Sequence, residues 1–211
     1  MRKAAQRQRL DNKVAIITGA TGGIGEATAK LFLDLGARVM LVARSADKLA
    51  ATRGRLEAHG EVAGSISDAA DEGGMAAAVE ATLDRFGGLD ILIANAGTEG
   101  VVRPIEALSV EEFEHTMRTN VTGVWLAMKH CVGSLKARGG GSIVALSSIA
   151  GVIGFPAMAP YIASKHAVYG LVKTAALEHG PLNIRVNAVG PGPIDNRMAK
   201  PLTGDHRKTC S

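Results

Sequence analysis

Short apolar runs separated by helical periodicities set the plan of this chain. Residues 14–17 (VAII), 38–43 (RVMLVA), 89–94 (LDILIA), 142–146 (SIVAL) and 184–189 (IRVNAV) read as strands. Near-continuous apolarity in most of these runs marks strands covered on both faces, as in a parallel sheet. A sixth run, 61–68 (EVAGSISD), is more polar and reads as the third strand in chain order. Helical patterns fill the gaps: EATAKLFLDLGA after the first strand, residues 46–58, a polar helix start at 68–74, about 110–136, and 161–179. The 110–136 helix opens on Ser109-Val110-Glu111-Glu112, which has the form of a capping box. Asn120 falls in its middle, where an amide that competes for backbone hydrogen bonds predicts a kink or a solvated position. Strand alternating with helix predicts an α/β domain, a doubly wound parallel sheet in the order 3-2-1-4-5-6 with helices on both faces. Ligands of such sheets bind outside the carboxyl ends of the strands.

Length and charge narrow this picture. A chain of 211 residues suits one α/β domain. Its net charge of +4 equals the charge of residues 1–10 alone, which hold Arg2, Lys3, Arg7 and Arg9 and no acid. The body is therefore neutral, which argues against a nucleic-acid or membrane surface. The basic opening lacks the apolar core of a signal peptide and reads as a disordered tail, with the domain over 11–198 and a short tail over 199–211. Two cysteines, Cys131 and Cys210, and six histidines show no disulfide framework and no metal spacing, so a reducing, cytoplasmic setting is expected.

Chemistry gathers at the predicted carboxyl edge. The first strand ends in TGATGGIG (18–25), where Gly19, Gly23 and Gly25 let the backbone turn tightly and approach a pyrophosphate at a helix N-terminus. The second strand ends in Ala43-Arg44-Ser45. An acid there would select NAD by its ribose hydroxyls, whereas a guanidinium suits a 2′-phosphate, so NADP is favoured over NAD. Asn95-Ala96-Gly97 follow the fourth strand as small residues against which a ligand can lie. Ser147 and Ser148 end the fifth, and Gly190-Pro191-Gly192-Pro193 the sixth.

Tyr161 and Lys165 lie four apart on one helical face, and Ser148 precedes Tyr161 by thirteen residues. A nearby ammonium favours phenolate, which predicts a Tyr161 pKa drawn down from its usual value near ~10. Tyr169 and Lys173 repeat the spacing, but Pro156 stands where their serine would be, so packing or surface duty is expected of them.

As a set, TGATGGIG, Asn95-Ala96-Gly97, Asn120 in TNVTG, Ser148, Tyr161-x-x-x-Lys165 and Pro191-Gly192 resemble the short-chain dehydrogenase/reductase family over about 11–198, and its 3-oxoacyl-carrier-protein reductase-like members in particular. The resemblance implies a Rossmann-type fold and an NAD(P)-dependent oxidoreductase that interconverts a ketone and a secondary alcohol. It implies a catalytic set of Asn120, Ser148, Tyr161 and Lys165. Tyr161 would be the general acid or base, Ser148 a donor to the substrate oxygen, Lys165 a ribose ligand, and Asn120 the holder of a proton-relay water. Gly19, Thr21, Gly23, Ile24, Gly25, Arg44, Asn95, Ala96, Gly97, Pro191, Gly192 and Ile194 would contact the cofactor, together with Tyr161 and Lys165. Homodimers or homotetramers through the 110–136 and 161–179 helices are implied as well.

The chain departs from that family at several points. Ser65 stands where an acid after the third strand usually meets adenine, Ala94 replaces an asparagine, and Asn196 replaces a threonine. The family's usual seventh strand and substrate-covering helix are absent from the pattern, which keeps a second reading in view: a shortened nucleotide-binding or interaction protein without turnover. The apolar segment 152–159 (VIGFPAMA) suggests a hydrophobic or neutral carbonyl substrate. Acyl-carrier esters, sugars, steroids and xenobiotic ketones all remain open.

Overall fold

A computed structural model describes residues 9–194. The basic opening over residues 1–8, Asn196 and the 199–211 tail lie outside the described residues. Apolar runs become six parallel strands: β1 (Val14–Thr18), β2 (Arg38–Ala43), β3 (Val62–Ile66), β4 (Ile91–Ala94), β5 (Gly141–Leu146) and β6 (Ile184–Val189). They form one sheet in the order β3-β2-β1-β4-β5-β6, as the strand–helix alternation predicts. Among the described residues β6 is an edge strand, and any seventh strand would fall outside them.

Connections are α1 (Gly23–Asp34), α2 (Ala46–Leu56), α3 (Glu72–Phe86), α4 (Val110–Met117), α5 (Gly123–Ala137) and α6 (Ala159–His179). Alternate residues of each strand face opposite ways, so the sheet carries two cores. Ile17, Val39, Leu41 and Ile93 pack with Ala29, Leu33, Leu49 and Leu56 of α1 and α2. Ile16, Met40, Leu92, Ile143 and Val186 pack on the other side with Met75, Leu126, Cys131, Val168 and Val172 of α3, α5 and α6. Both faces of β1 are fully buried, which is why its sequence shows no alternation.

Asp90 pins the amino-terminal edge. Its carboxylate accepts from the Val14 N–H at 3.0 Å and from Lys13 and Arg138 at 3.3 and 3.2 Å. Burial pushes its pKa up, but the Val14 N–H and the two cations outweigh this and leave it below the usual carboxylate range.

The 110–136 segment is not one α-helix. A π-helical turn, Arg118–Thr122, separates α4 from α5 and carries Asn120. The Ser109 capping box forms as expected, with its hydroxyl accepting from Glu112 N–H and Glu112 accepting from Ser109 N–H. The third strand is shorter than its sequence run, and α6 starts at Ala159, with Pro160 in the first turn where no N–H is needed.

Candidate active site

The turn after β1 is built by glycine. Gly19 has φ +63°, and a Cβ there would lie 2.7 Å from Ala96 Cα; one on Gly25 would lie 2.5 Å from Gly19 O. The first approach sets the turn against the end of β4, and the second packs the start of α1 onto the turn. Thr18 completes the joint. Its hydroxyl accepts from the Asn95 and Ala96 N–H groups at 3.0 and 3.1 Å, while Asn95 Nδ2 donates to Thr18 O and Gly19 O. Asn95 and Ala96 are thus fastened to the glycine turn, a role for Thr18 that its place at the head of TGATGGIG did not signal.

No side chain caps α1, which begins behind Gly22, whereas Ser45, Asp71 and Ser109 cap α2, α3 and α4. The one acid in its first turn, Glu26, is bound at 2.8 and 2.9 Å by Arg55. A bare helix N-terminus beside a glycine turn fits a pyrophosphate, and Thr21, Gly23 and Ile24 sit in or beside that turn.

Beyond β2, Arg44 is largely exposed and stands 3.8 Å from Asp68. Here the sequence reading needs correction. Ser65 lies within β3, paired in register with Val42, so it is not the residue past the strand. Asp68 stands two residues past the strand, and its Oδ1 also accepts from Ala70 N–H at 2.9 Å. The acid expected after the third strand is present, three residues later than the sequence suggested.

At the centre, Ser147 and Ser148 continue the pairing of β5. Ser147 N–H donates to Val189 O and Ile149 N–H to Pro191 O, which ties the Pro191-Gly192 segment to the serine loop. Ser148 Oγ accepts from Ala150 N–H at 3.1 Å. Ser147 Oγ donates to Lys165 O at 2.9 Å and anchors α6 under the site. Lys165 is 5% exposed; its Nζ donates to Leu146 O at 2.9 Å and lies 5.6 Å from the Tyr161 ring centre. Burial pulls the Lys165 pKa down to about 8.

Tyr161 does not behave as its spacing predicted. Burial raises its pKa, the neighbouring Ser148 hydroxyl works in the opposite direction, and the charge of Glu99 raises it further. Lys165 directs its ammonium at a backbone carbonyl, and the charge that reaches the phenol is an acid's. Geometry, not i to i+4 spacing, decides which charge matters.

Asn120 is fully buried behind this site. Its Oδ1 accepts from Thr98 N–H at 2.7 Å, and its Nδ2 donates to Thr98 O at 2.8 Å and to Ser164 Oγ at 2.9 Å. Of the two alternatives drawn from helix chemistry, the solvated position is excluded by burial, and the break in the helix is a π-turn that aims the amide inward at the loop after β4. Tyr169 is the packing residue its missing serine implied. A Cβ on Gly151 would lie 2.5 Å from its ring, and one on Gly190 would meet its hydroxyl.

A cavity of about 480 Å³ joins these parts. Ser148, Tyr161, Lys165, Asn95, Gly97, Ile24, Pro191, Gly192 and Ile194 all line it, with Val102, Ile149, Phe155 and Met158 as apolar wall. Gly19, Thr21, Gly23, Gly25, Arg44, Ala96 and Asn120 do not line it; they form the turn, the rim beyond β2 and the support behind. Glu99 also lines the cavity, and it belongs to no motif that would mark it in the sequence.

Comparison with known proteins bears on the family and the fold. The description "short chain dehydrogenase" matches residues 13–207. Levodione reductase of Leifsonia aquatica is 35% identical over 195 residues, covering 91% of this chain and 73% of the relative. Trans-4-hydroxycyclohexanecarboxylate dehydrogenase of Sinomonas cyclohexanicum is 40% identical, covering 92% and 77%. The crystal structure of carveol dehydrogenase from Mycobacterium avium in complex with NAD superposes with a TM-score of 0.88 at 32% identity, covering 90% of this chain and 74% of that one.

Proposed function

The chain belongs to the short-chain dehydrogenase family, and we propose that it transfers hydride between a nicotinamide cofactor and a ketone or secondary alcohol, with NADP preferred to NAD. The observation that carries this reading is the convergence of Ser148, Tyr161 and Lys165 on one largely apolar cavity at the carboxyl edge of the sheet, beside the uncapped start of α1. The names of its relatives, a reductase and dehydrogenases of cyclic alcohols, support the same class of substrate.

The nicotinamide, when bound, supplies or takes the hydride. The protein's part is proton handling and placement. Tyr161 holds its phenolic proton firmly because it is buried and faces an acid, and it gives that proton to the substrate oxygen during reduction. Ser148 hydrogen-bonds the same oxygen. Lys165, brought near neutrality by burial, accepts or returns a proton close to working pH. Asn120 acts by fixing the loop at Thr98. The apolar wall excludes water, which strengthens each of these contacts.

NADP preference rests on Arg44, exposed at the end of β2, where Ala43 leaves room for a phosphate. Asp68 pairs with it at 3.8 Å, but both side chains are exposed, so the charge of Arg44 is not fully neutralised. The exposed Val110, Phe113 and Trp125 on α4 and α5 support oligomer contacts through these helices, and the buried free thiol of Cys131 fits a reducing, cytoplasmic setting. Titration with NADPH and NADH tests the cofactor: tighter NADPH binding that Arg44→Ala abolishes is expected, and equal or tighter NADH binding refutes the preference. Tyr161→Phe is expected to bind cofactor and lose carbonyl reduction; undiminished reduction by that variant refutes the assignment of the acid.

A further inference from the structure

Among the described residues, each polar side chain lining the cavity has a hydrogen-bond partner or, in Tyr161, a place at the substrate oxygen, except one. Asn95 is spent on Thr18 and Gly19, Thr98 Oγ1 accepts from Gly100 N–H at 3.2 Å, and Ser147 holds Lys165 O. Lys165 donates to Leu146 O, and Ser148 and Tyr161 face each other. Glu99 is half-buried in the same wall, and among the described residues its carboxylate makes no hydrogen bond and no ion pair.

Its position is held from both sides. Thr98, before it, is clamped through both N–H and C=O by Asn120. Gly100, after it, has φ +69° and presses on Thr116, where a Cβ would collide with the hydroxyl. A loop fixed at both ends presents one residue in a set place, and among the described lining residues it is the only carboxylate. Keeping an unpartnered acid partly out of water is unfavourable, so burial also raises the Glu99 pKa. A ligand that supplies a donor there gains a charge-assisted hydrogen bond and relieves that penalty.

We infer that Glu99 is a specificity residue that receives a second hydrogen-bond donor on the substrate, a hydroxyl or an ammonium, away from the carbonyl held at Ser148 and Tyr161. The inference rests on the oxidoreductase reading above and sharpens it: the substrate is a hydroxylated or aminated ketone with an apolar frame, not a plain hydrocarbon ketone. An anionic group at the same position is rejected by like charge.

Matched ligands test this. Reduction of 4-hydroxycyclohexanone and cyclohexanone with NADPH is measured for the native protein, Glu99→Gln and Glu99→Leu, each checked by thermal melting. In parallel, binding of trans-1,4-cyclohexanediol, trans-4-aminocyclohexanol and cyclohexanol is titrated by protein NMR without turnover. The native protein is expected to favour the hydroxyketone in kcat/KM, and the diol or amino alcohol in binding, by about tenfold or more, the scale of a hydrogen bond to a charged group. Glu99→Leu is expected to bring these ratios to about one. Glu99→Gln, which keeps an acceptor without the charge, retains preference for a hydroxyl and loses preference for an ammonium, which tells the two donors apart. Native ratios near one, or ratios that persist in Glu99→Leu, overturn the inference. If neither ketone turns over, the oxidoreductase reading fails, and the binding ratios still decide the role of Glu99.

Discussion

Removing the Asn120 side chain measures how far the site depends on support from behind. Asn120→Ala deletes three hydrogen bonds, two to the backbone of Thr98 and one to Ser164 Oγ. Each is worth about 1 kcal/mol net, and Thr98 N–H and C=O are left without partners in a partly buried loop, at roughly 1 to 3 kcal/mol. The sum is about 4 to 6 kcal/mol. For a domain of this size each kcal/mol moves Tm by ~2 to 4 °C, so the variant is expected to melt about 10 °C or more below the native protein. Ser164→Ala removes one of the three bonds and is expected to cost about 1 kcal/mol. In the double variant the Asn120–Ser164 contact is lost only once, so the two effects fall short of additive. Circular dichroism melts and urea titrations give these numbers, and hydrogen exchange at the Thr98 amide gives the local one. An Asn120→Ala protein that melts within about 2 °C of native, with Thr98 still protected, would refute the support role.

Three further outcomes follow from geometry already described. Glu99→Gln removes the charge that raises the Tyr161 pKa, so the fall of reductase activity on the alkaline side, read from kcat/KM against pH, is expected to move to lower pH; an unmoved limb contradicts the coupling. Asp90 has a folded pKa below its unfolded value, so its contribution to stability is complete above the unfolded pKa and is lost as pH falls through the folded one. Asp90→Asn should therefore flatten the acid limb of stability against pH, and parallel curves for the two proteins would dismiss that role. Gly25→Ala places a methyl 2.5 Å from Gly19 O, and the distorted turn is expected to weaken dinucleotide binding by an order of magnitude or more, as read by cofactor fluorescence titration.

Much of the fold was legible because a parallel sheet covered on both faces leaves continuous apolar runs, and β2 and β6 matched theirs residue for residue. The third strand was less so: its edge position leaves residues such as Ile66 exposed, so no pattern marked where it ended, and Asp68 was misplaced to Ser65. Ser148, Tyr161 and Lys165 were legible as a set because one strand end and one helix face fix their spacing. Their electrostatics were not. Which charge acts on Tyr161 depends on a lysine turned toward Leu146 O and on a glutamate 62 positions away in sequence. Asn120 was seen as a misfit in a helix, and the reason for it, an extra residue in one turn that aims an amide at a separate loop, exists only in three dimensions.

The second Tyr-x-x-x-Lys pair has a mechanical consequence. The Tyr169 ring lies where Gly151 and Gly190 both lack a side chain, so the loop carrying Ser148 and the loop carrying Pro191 are seated on one aromatic plate. With Ile149 N–H bonded to Pro191 O as well, these two walls of the cavity have little freedom to part. The segment from Val152 to Ala157 is largely exposed and is fastened across the mouth by Arg103 N–H to Ala157 O at 2.8 Å. Among the described residues, the cavity thus has one wall seated as a fixed jamb and another held across the mouth by a backbone latch.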